Sequence, residues 1–282
     1  MNLQKLKSIC KRLSNETKTN YNIILKHYFM ISILEKIVKS KNKQNFIIKG
    51  GFLLSNMMSL NERTTQDIDC LIKGINFVKE NILKIISDVL RYDFTDFIKY
   101  EIKEIIEIKK RDKYNGFRVK ILCKLEKLEE IVKIDLAIGD VITPSEIKYN
   151  FKNIFSNSSF EIQAYNLETI LAEEIFIINN LDIQSTRIKD LYDIFLIYSL
   201  KEFEIDYNIL KCACLNTFKK RNTVFNIDLI LNLLNELNQL DIFKLLWNNY
   251  KQKYFYAQKI EFEILVESVI KLLEKLKALR FS

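Results

Sequence analysis

Histidine, proline and tryptophan occur once each in 282 residues, and glycine only five times. With a single histidine, no ordinary zinc site can be assembled, and catalysis has to proceed without imidazole pairs. That histidine, His27, lies beside Tyr28 and Phe29 in the helical pattern YNIILKHYFMISILEKIVK, which marks it as a packing residue. The five cysteines (Cys10, Cys70, Cys123, Cys212, Cys214) contain no C-x-x-C pair. Their odd number, and an amphipathic start (MNLQKLKSICKRLSN) that does not read as a leader, point to a reducing, cytoplasmic setting. No apolar run approaches the length of a membrane span, so no membrane partner is expected. Scarce glycine makes the adjacent Gly50 and Gly51 conspicuous, because glycine serves where backbone turns sharply or approaches another group closely.

What is present is ordinary for a folded protein: 48% hydrophobic and 28% charged residues. The net charge is +8, from 44 basic and 36 acidic residues. Such a charge is compatible with a nucleic-acid partner. Enrichment in Ile, Lys and Asn also follows from an AT-rich coding bias. Basic residues concentrate in 99–127 and in TFKKR at 217–221. Both also read as solvated strand edges and a helix end.

Apolar spacing predicts two helices within residues 3–40, a buried strand FIIK at 46–49, and a helix at 50–60 that starts on the glycines. IDCLIKG (68–74) is a strand and 76–91 an amphipathic helix. IKYEIKEIIEI, GFRVKILCKL after a turn at Asn115-Gly116, and IVKIDLAIG are three further strands. FEIQAY (160–165) adds one after a polar loop near FSNSS. From Asn166 onward the pattern is helix after helix: LETILAEEIFIIN, then segments at 187–199, 207–219, 227–238, 240–255 and 260–279. The chain thus divides near 160–165 into a mixed α/β half and a helical half.

The sequence RTTQDID places Asp67 and Asp69 two apart on a strand, so both carboxylates share a face while Ile68 points to the core. Such a pair is either an exposed strand end or a cation site, and oxygen-only ligation suits Mg²⁺ or Mn²⁺. In IVKIDLAIGD, Val132, Ile134 and Leu136 share one face and Asp135 lies on the other. If that strand neighbours 68–73, Asp135 completes the carboxylate set; Asp140, past Gly139, is the lesser candidate. Gly50 and Gly51 are either a plain tight turn or the opening of a helix whose first N–H groups receive a phosphate. Ser55, one turn on, is placed to add a hydroxyl.

Taken in order, G-G, R-T-T-x-D-I-D, K-I-D-L-x-x-G-D and R-x-K-D-L-Y-D resemble the motif series of the AbiEii/AbiGii abortive-infection toxins, nucleotidyltransferases of the DNA polymerase β superfamily. The resemblance runs from about Phe46 to Tyr198. It implies an α+β protein, with a polymerase-β-type nucleotidyltransferase domain and mixed sheet over 1–164 and an all-helical domain over 165–282. It further implies a type IV toxin that moves an NMP from an NTP to the 3′ end of tRNA with Mg²⁺ or Mn²⁺. The partner gene would encode a transcriptional antitoxin making no tight direct contact. By the same resemblance Asp67, Asp69 and Asp135 are metal ligands. Gly50, Gly51 and Ser55 line the phosphate site, with Lys49 and Arg63 near it. Thr65 matches a hydroxyl position that some relatives have phosphorylated, where added charge would obstruct the metal site.

In STRIKDLYDIFLIY (185–198), helical spacing pairs Arg187 with Asp190 and Lys189 with Asp193, which alone reads as surface ion pairs. The resemblance instead gives Lys189 a phosphate contact, with Asp193 or Asp190 as its orienting group or a base. One departure stands out: relatives have A-E-K where this chain has Ala172-Glu173-Glu174. Glu174 is expected to point away from the deepest core. If it faces the nucleotide, Glu174→Lys should strengthen NTP binding. Two other functions remain open from the sequence: a non-catalytic NTP- or RNA-binding module, and a nucleotidyltransferase acting on a protein or small molecule.

Overall fold

In the computed structural model, residues 1–91, 97–109, 115–180 and 187–279 are described. Residues 110–114 of the basic stretch and 185–186 of the last motif lie outside the described residues. The chain divides into two units, Met1–Asp140 with Glu146–Ala164 and Val141–Ser145 with Tyr165–Ser282.

The first unit contains α1 (Leu3–Thr17), α2 (Tyr21–Lys39), α3 (Gly50–Met58) and α4 (Lys79–Arg91). Its strands are β1 (Phe46–Lys49), β2 (Asp67–Ile72), β3 (Lys99–Lys109), β4 (Asn115–Leu125), β5 (Leu128–Ala137), β6 (Ile147–Asn153) and β7 (Ser158–Ala164). They form one seven-stranded mixed sheet in the order β3-β4-β5-β2-β1-β7-β6. β2 runs parallel to β5 and antiparallel to β1, so the Asp-x-Asp strand is central, with a neighbour on each side. Asn2 and Asn20 cap α1 and α2 through their side-chain oxygens, satisfying N–H groups that the first turn leaves open. α2 buries Ile24, Phe29, Met30, Ile33 and Leu34 and packs against β5 and β7. His27 is a core residue there, edge-on to Phe52 with ring centroids 5.1 Å apart, and burial pulls its pKa down to about 4.

Two local expectations are corrected. Asn115 and Gly116 do not form the hairpin turn; both lie in β4, where Gly116 pairs with Ile108 and Ala137. A Cβ on Gly116 would come within 3.0 Å of the Leu136 carbonyl oxygen, so the glycine serves close strand packing. The stretch IKYNFKN forms β6, an edge strand absent from the sequence reading. Its lysines and asparagines give a polar composition, yet Phe151 is fully buried and the period is that of a strand.

The second unit carries α5 (Leu167–Asn179), α6 (Ile188–Lys201), α7 (Tyr207–Lys220), α8 (Ile227–Gln239), α9 (Asp241–Lys253) and α10 (Phe262–Ala278). Asn166, Asp206 and Asn226 cap α5, α7 and α8. α10 buries Leu265, Val266, Val269, Leu272, Leu273 and Leu276 and packs against α6, α7 and α8. The α+β class read from the sequence is the observed one. Among the described residues, no helix is long and apolar enough to cross a membrane.

Candidate active site

β2 shows the alternation that the carboxylate pair requires. Ile68 is buried, and Asp67 and Asp69 on either side of it are half-buried on the opposite face. β5 lies next to β2 in parallel, with Asp69 opposite Asp135 in the register. On β5, Val132, Ile134 and Leu136 are buried, whereas Lys133 and Asp135 are half-buried. Three carboxylates from two adjacent strands therefore emerge on one face of the sheet.

The glycines meet this face directly. β1 ends at Lys49, which is paired with Asp69, and α3 begins at Gly50 with φ of +64°. A Cβ on Gly50 would collide with Oδ2 of Asp69. The N-cap residue of α3, Lys49, makes no side-chain cap hydrogen bond to the first turn of that helix. The Cβ position of Gly51 lies 3.1 Å from Nη2 of Arg63 and 3.3 Å from Oγ1 of Thr65. Arg63 is buried and donates through Nη1 to the Thr64 carbonyl. Thr65 Oγ1 donates to Asp67 Oδ1 at 2.8 Å. Gly50, Gly51, Arg63, Thr65, Asp67 and Asp69 thus form one contiguous set.

Two residues expected beside the glycines are committed elsewhere. Ser55 is buried, and its Oγ donates to the Phe52 carbonyl at 2.9 Å, the back-bond a mid-helix serine makes when turned inward. Lys49 is buried in an ion pair with Asp140, and it also stands opposite Asp69 in the β1–β2 register.

Arg118 is the residue that sequence reasoning missed. On β4 it stands opposite Asp135, and its guanidinium grips both carboxylate oxygens: Nε to Oδ1 at 2.7 Å and Nη2 to Oδ2 at 2.6 Å. In sequence it is one more cation on the polar face of a strand. Only the β4–β5 register reveals its partner.

The basic stretch around β3–β5 is laced with carboxylates. Lys120 pairs with Glu104 at 2.8 Å and Lys124 with Glu129 at 2.7 Å. Arg221, in the other basic cluster, pairs with Glu173 at 3.3 Å and stacks over Phe176.

The remaining predicted residues belong to the second unit. Lys189 is exposed on α6, whereas Asp190 and Asp193 are buried, not surface groups. Arg187 lies 3.1 Å from Asp190 Oδ2, the expected i,i+3 ion pair. Glu174 of α5 joins both aspartates: among the described residues, the one triad of potential metal-ligand atoms within 4.8 Å of one another is Glu174, Asp190 and Asp193. Oε2 of Glu174 is enclosed without a hydrogen-bond partner. Burial, then the charges of Asp190 and Asp193, hold the Glu174 carboxyl well above its ordinary pKa, with Lys189 pulling the other way. Burial raises Asp190 as well.

The AbiEii family, described as the nucleotidyl transferase toxins of type IV toxin–antitoxin systems, matches residues 32–268. The chain belongs to this family. It is accordingly a nucleotidyltransferase of the type IV toxin class, a class that implies a cognate antitoxin. Among solved structures, the fold is similar to that of a provisionally assigned nucleotidyltransferase from H. pylori, with 13% identity and a TM-score of 0.55 over 94% of this chain and 100% of that one. It is also similar to JHP933 from Helicobacter pylori, with 13% identity and a TM-score of 0.53 over 91% of this chain and 92% of the other. At such identity these two likenesses speak for the fold. No curated protein matches the chain.

Proposed function

We propose that this AbiEii-family chain transfers an NMP from an NTP to an RNA hydroxyl, with the 3′ end of tRNA as acceptor. The observation that carries the reading is the approach of Asp69 to Gly50. It sets a carboxylate face suited to a divalent cation directly against a helix N-terminus suited to a triphosphate. The donors fit a hard cation: all are carboxylate oxygens, half-buried and facing one way. Asp67, Asp69 and Asp135 would hold Mg²⁺ or Mn²⁺, which lowers the pKa of the acceptor hydroxyl and balances charge on the phosphates.

The α3 N–H groups at Gly50 and Gly51 receive phosphate oxygens, with the Arg63 guanidinium adding positive charge beside them. Thr65 orients Asp67. In the transfer, the acceptor oxygen bonds to the α-phosphorus as the α–β bridging P–O bond breaks. Pyrophosphate leaves, and the hydroxyl proton passes to solvent. The residues named for this step all lie in the first unit.

The deciding experiment incubates the purified protein with each α-labelled NTP, Mg²⁺ and total RNA. Label in tRNA-sized RNA, lost in Asp67→Asn, is the expected result. Label in protein would move the acceptor to a polypeptide. NTP binding with no transfer to any acceptor would leave a binding module.

A further inference from the structure

We propose that Arg118 is the internal counter-ion of the carboxylate face, holding Asp135 until a divalent cation competes for it. The inference rests on the metal reading above and adds a residue which that reading does not contain. Its basis is geometric. The guanidinium engages both oxygens of Asp135 at 2.6–2.7 Å, the bidentate fork that is among the strongest carboxylate contacts. With Asp135 so held, Asp67, Asp69 and Asp135 are not among the triads whose ligand atoms close to within 4.8 Å, although Asp69 and Asp135 are register partners.

Like charges on one strand face repel unless a cation lies among them. Arg118 supplies that cation from within the chain and lets the sheet fold without metal. A dication arriving at Asp67 and Asp69 meets two obstacles: repulsion from the guanidinium, and an Asp135 whose oxygens already accept hydrogen bonds. Metal binding then means weakening the Arg118–Asp135 fork. The guanidinium is about one-third exposed, which leaves it room to swing outward.

Mn²⁺ titrations followed by electron paramagnetic resonance, paired with thermal melts, test this on the full chain. Arg118→Gln should tighten Mn²⁺ binding by about tenfold or more, because a charge-assisted fork no longer competes. Its metal-free melting temperature should fall and its Mn²⁺-induced rise should grow. Arg118→Lys keeps the charge without the fork and should fall between. The gain should vanish in the Asp135→Asn background, since the competition runs through that carboxylate. Unchanged or weaker Mn²⁺ affinity in folded Arg118→Gln and Arg118→Lys overturns the proposal and leaves the metal site intact. Asp67→Asn separates the two failures: if it binds Mn²⁺ as well as the unaltered protein, the metal reading itself falls and this inference with it.

Discussion

The carboxylate of Asp69 occupies the space that a Cβ on Gly50 would need. Gly50 also has φ of +64°, where side chains are strained whatever the space. Gly50→Ala should therefore cost about 1–2 kcal/mol for the backbone alone, and it should displace Asp69 as well. The nearest atoms to a Cβ on Gly51 belong to the side chains of Arg63 and Thr65, at 3.1 Å and 3.3 Å, so Gly51→Ala should be milder. Urea unfolding of both variants and Mn²⁺ titration of both compare the two effects. Equal losses at the two glycines would show that the Asp69 approach is not what demands Gly50.

The Thr65 hydroxyl donates a hydrogen bond to Asp67 Oδ1 at 2.8 Å. Thr65→Val keeps the shape and removes the donor, so about 1 kcal/mol of stability should be lost. Mn²⁺ affinity should weaken severalfold as the carboxylate loses its orientation. Thr65→Ser should restore both. If Ser and Val variants bind Mn²⁺ alike, the hydroxyl does not set the Asp67 geometry.

Lys49 and Asp140 form an ion pair whose side chains are only 7% and 8% exposed. Removing one partner strips the buried Lys49 ammonium of this carboxylate, so Asp140→Ala should destabilise the protein, by at most about 3–5 kcal/mol. Removing both, in Lys49→Met with Asp140→Leu, should recover most of that loss. The double-mutant cycle is read from denaturant midpoints. A single variant costing under about 1 kcal/mol would mean other groups already balance Lys49.

Sequence reasoning reached the site through local periodicity and stopped where register begins. The face shared by Asp67 and Asp69 follows from a period of two around buried Ile68, and the helix at Gly50 from apolar spacing. The β2–β5 neighbourhood was a condition stated for Asp135, and the sheet order meets it. Arg118 was not singled out, and Asp140 and Glu174 were named without their partners, because each acts through a residue distant in the chain: Asp135, Lys49 and the Asp190–Asp193 pair. Ser55 shows the same limit, since spacing gave its turn of helix but not the inward rotamer that ties it to Phe52. β6 escaped because an edge strand with one neighbour tolerates Lys and Asn on alternate positions, which dilutes its apolar signal.

Glu174 carries the clearest pH signature in the second unit. Burial and the neighbouring charges of Asp190 and Asp193 raise its pKa well above the ordinary 4.5. Between those two values the folded state binds a proton that the unfolded chain releases, so stability falls as pH rises through that window. Below pH 4.5 both states are protonated and the penalty is absent. Glu174→Gln has the same shape and no charge. Its stability should match the unaltered protein near pH 4 and exceed it at pH 8, by about 1–3 kcal/mol for relieving an enclosed, unpartnered carboxylate oxygen. Glu174→Lys should stabilise further at pH 8, because an ammonium among Asp190 and Asp193 converts repulsion into pairing. Melting temperatures of the three proteins from pH 4 to pH 8 supply the measurement. A Glu174→Gln advantage that stays constant across that range would mean that Glu174 does not take up the proton in the folded state.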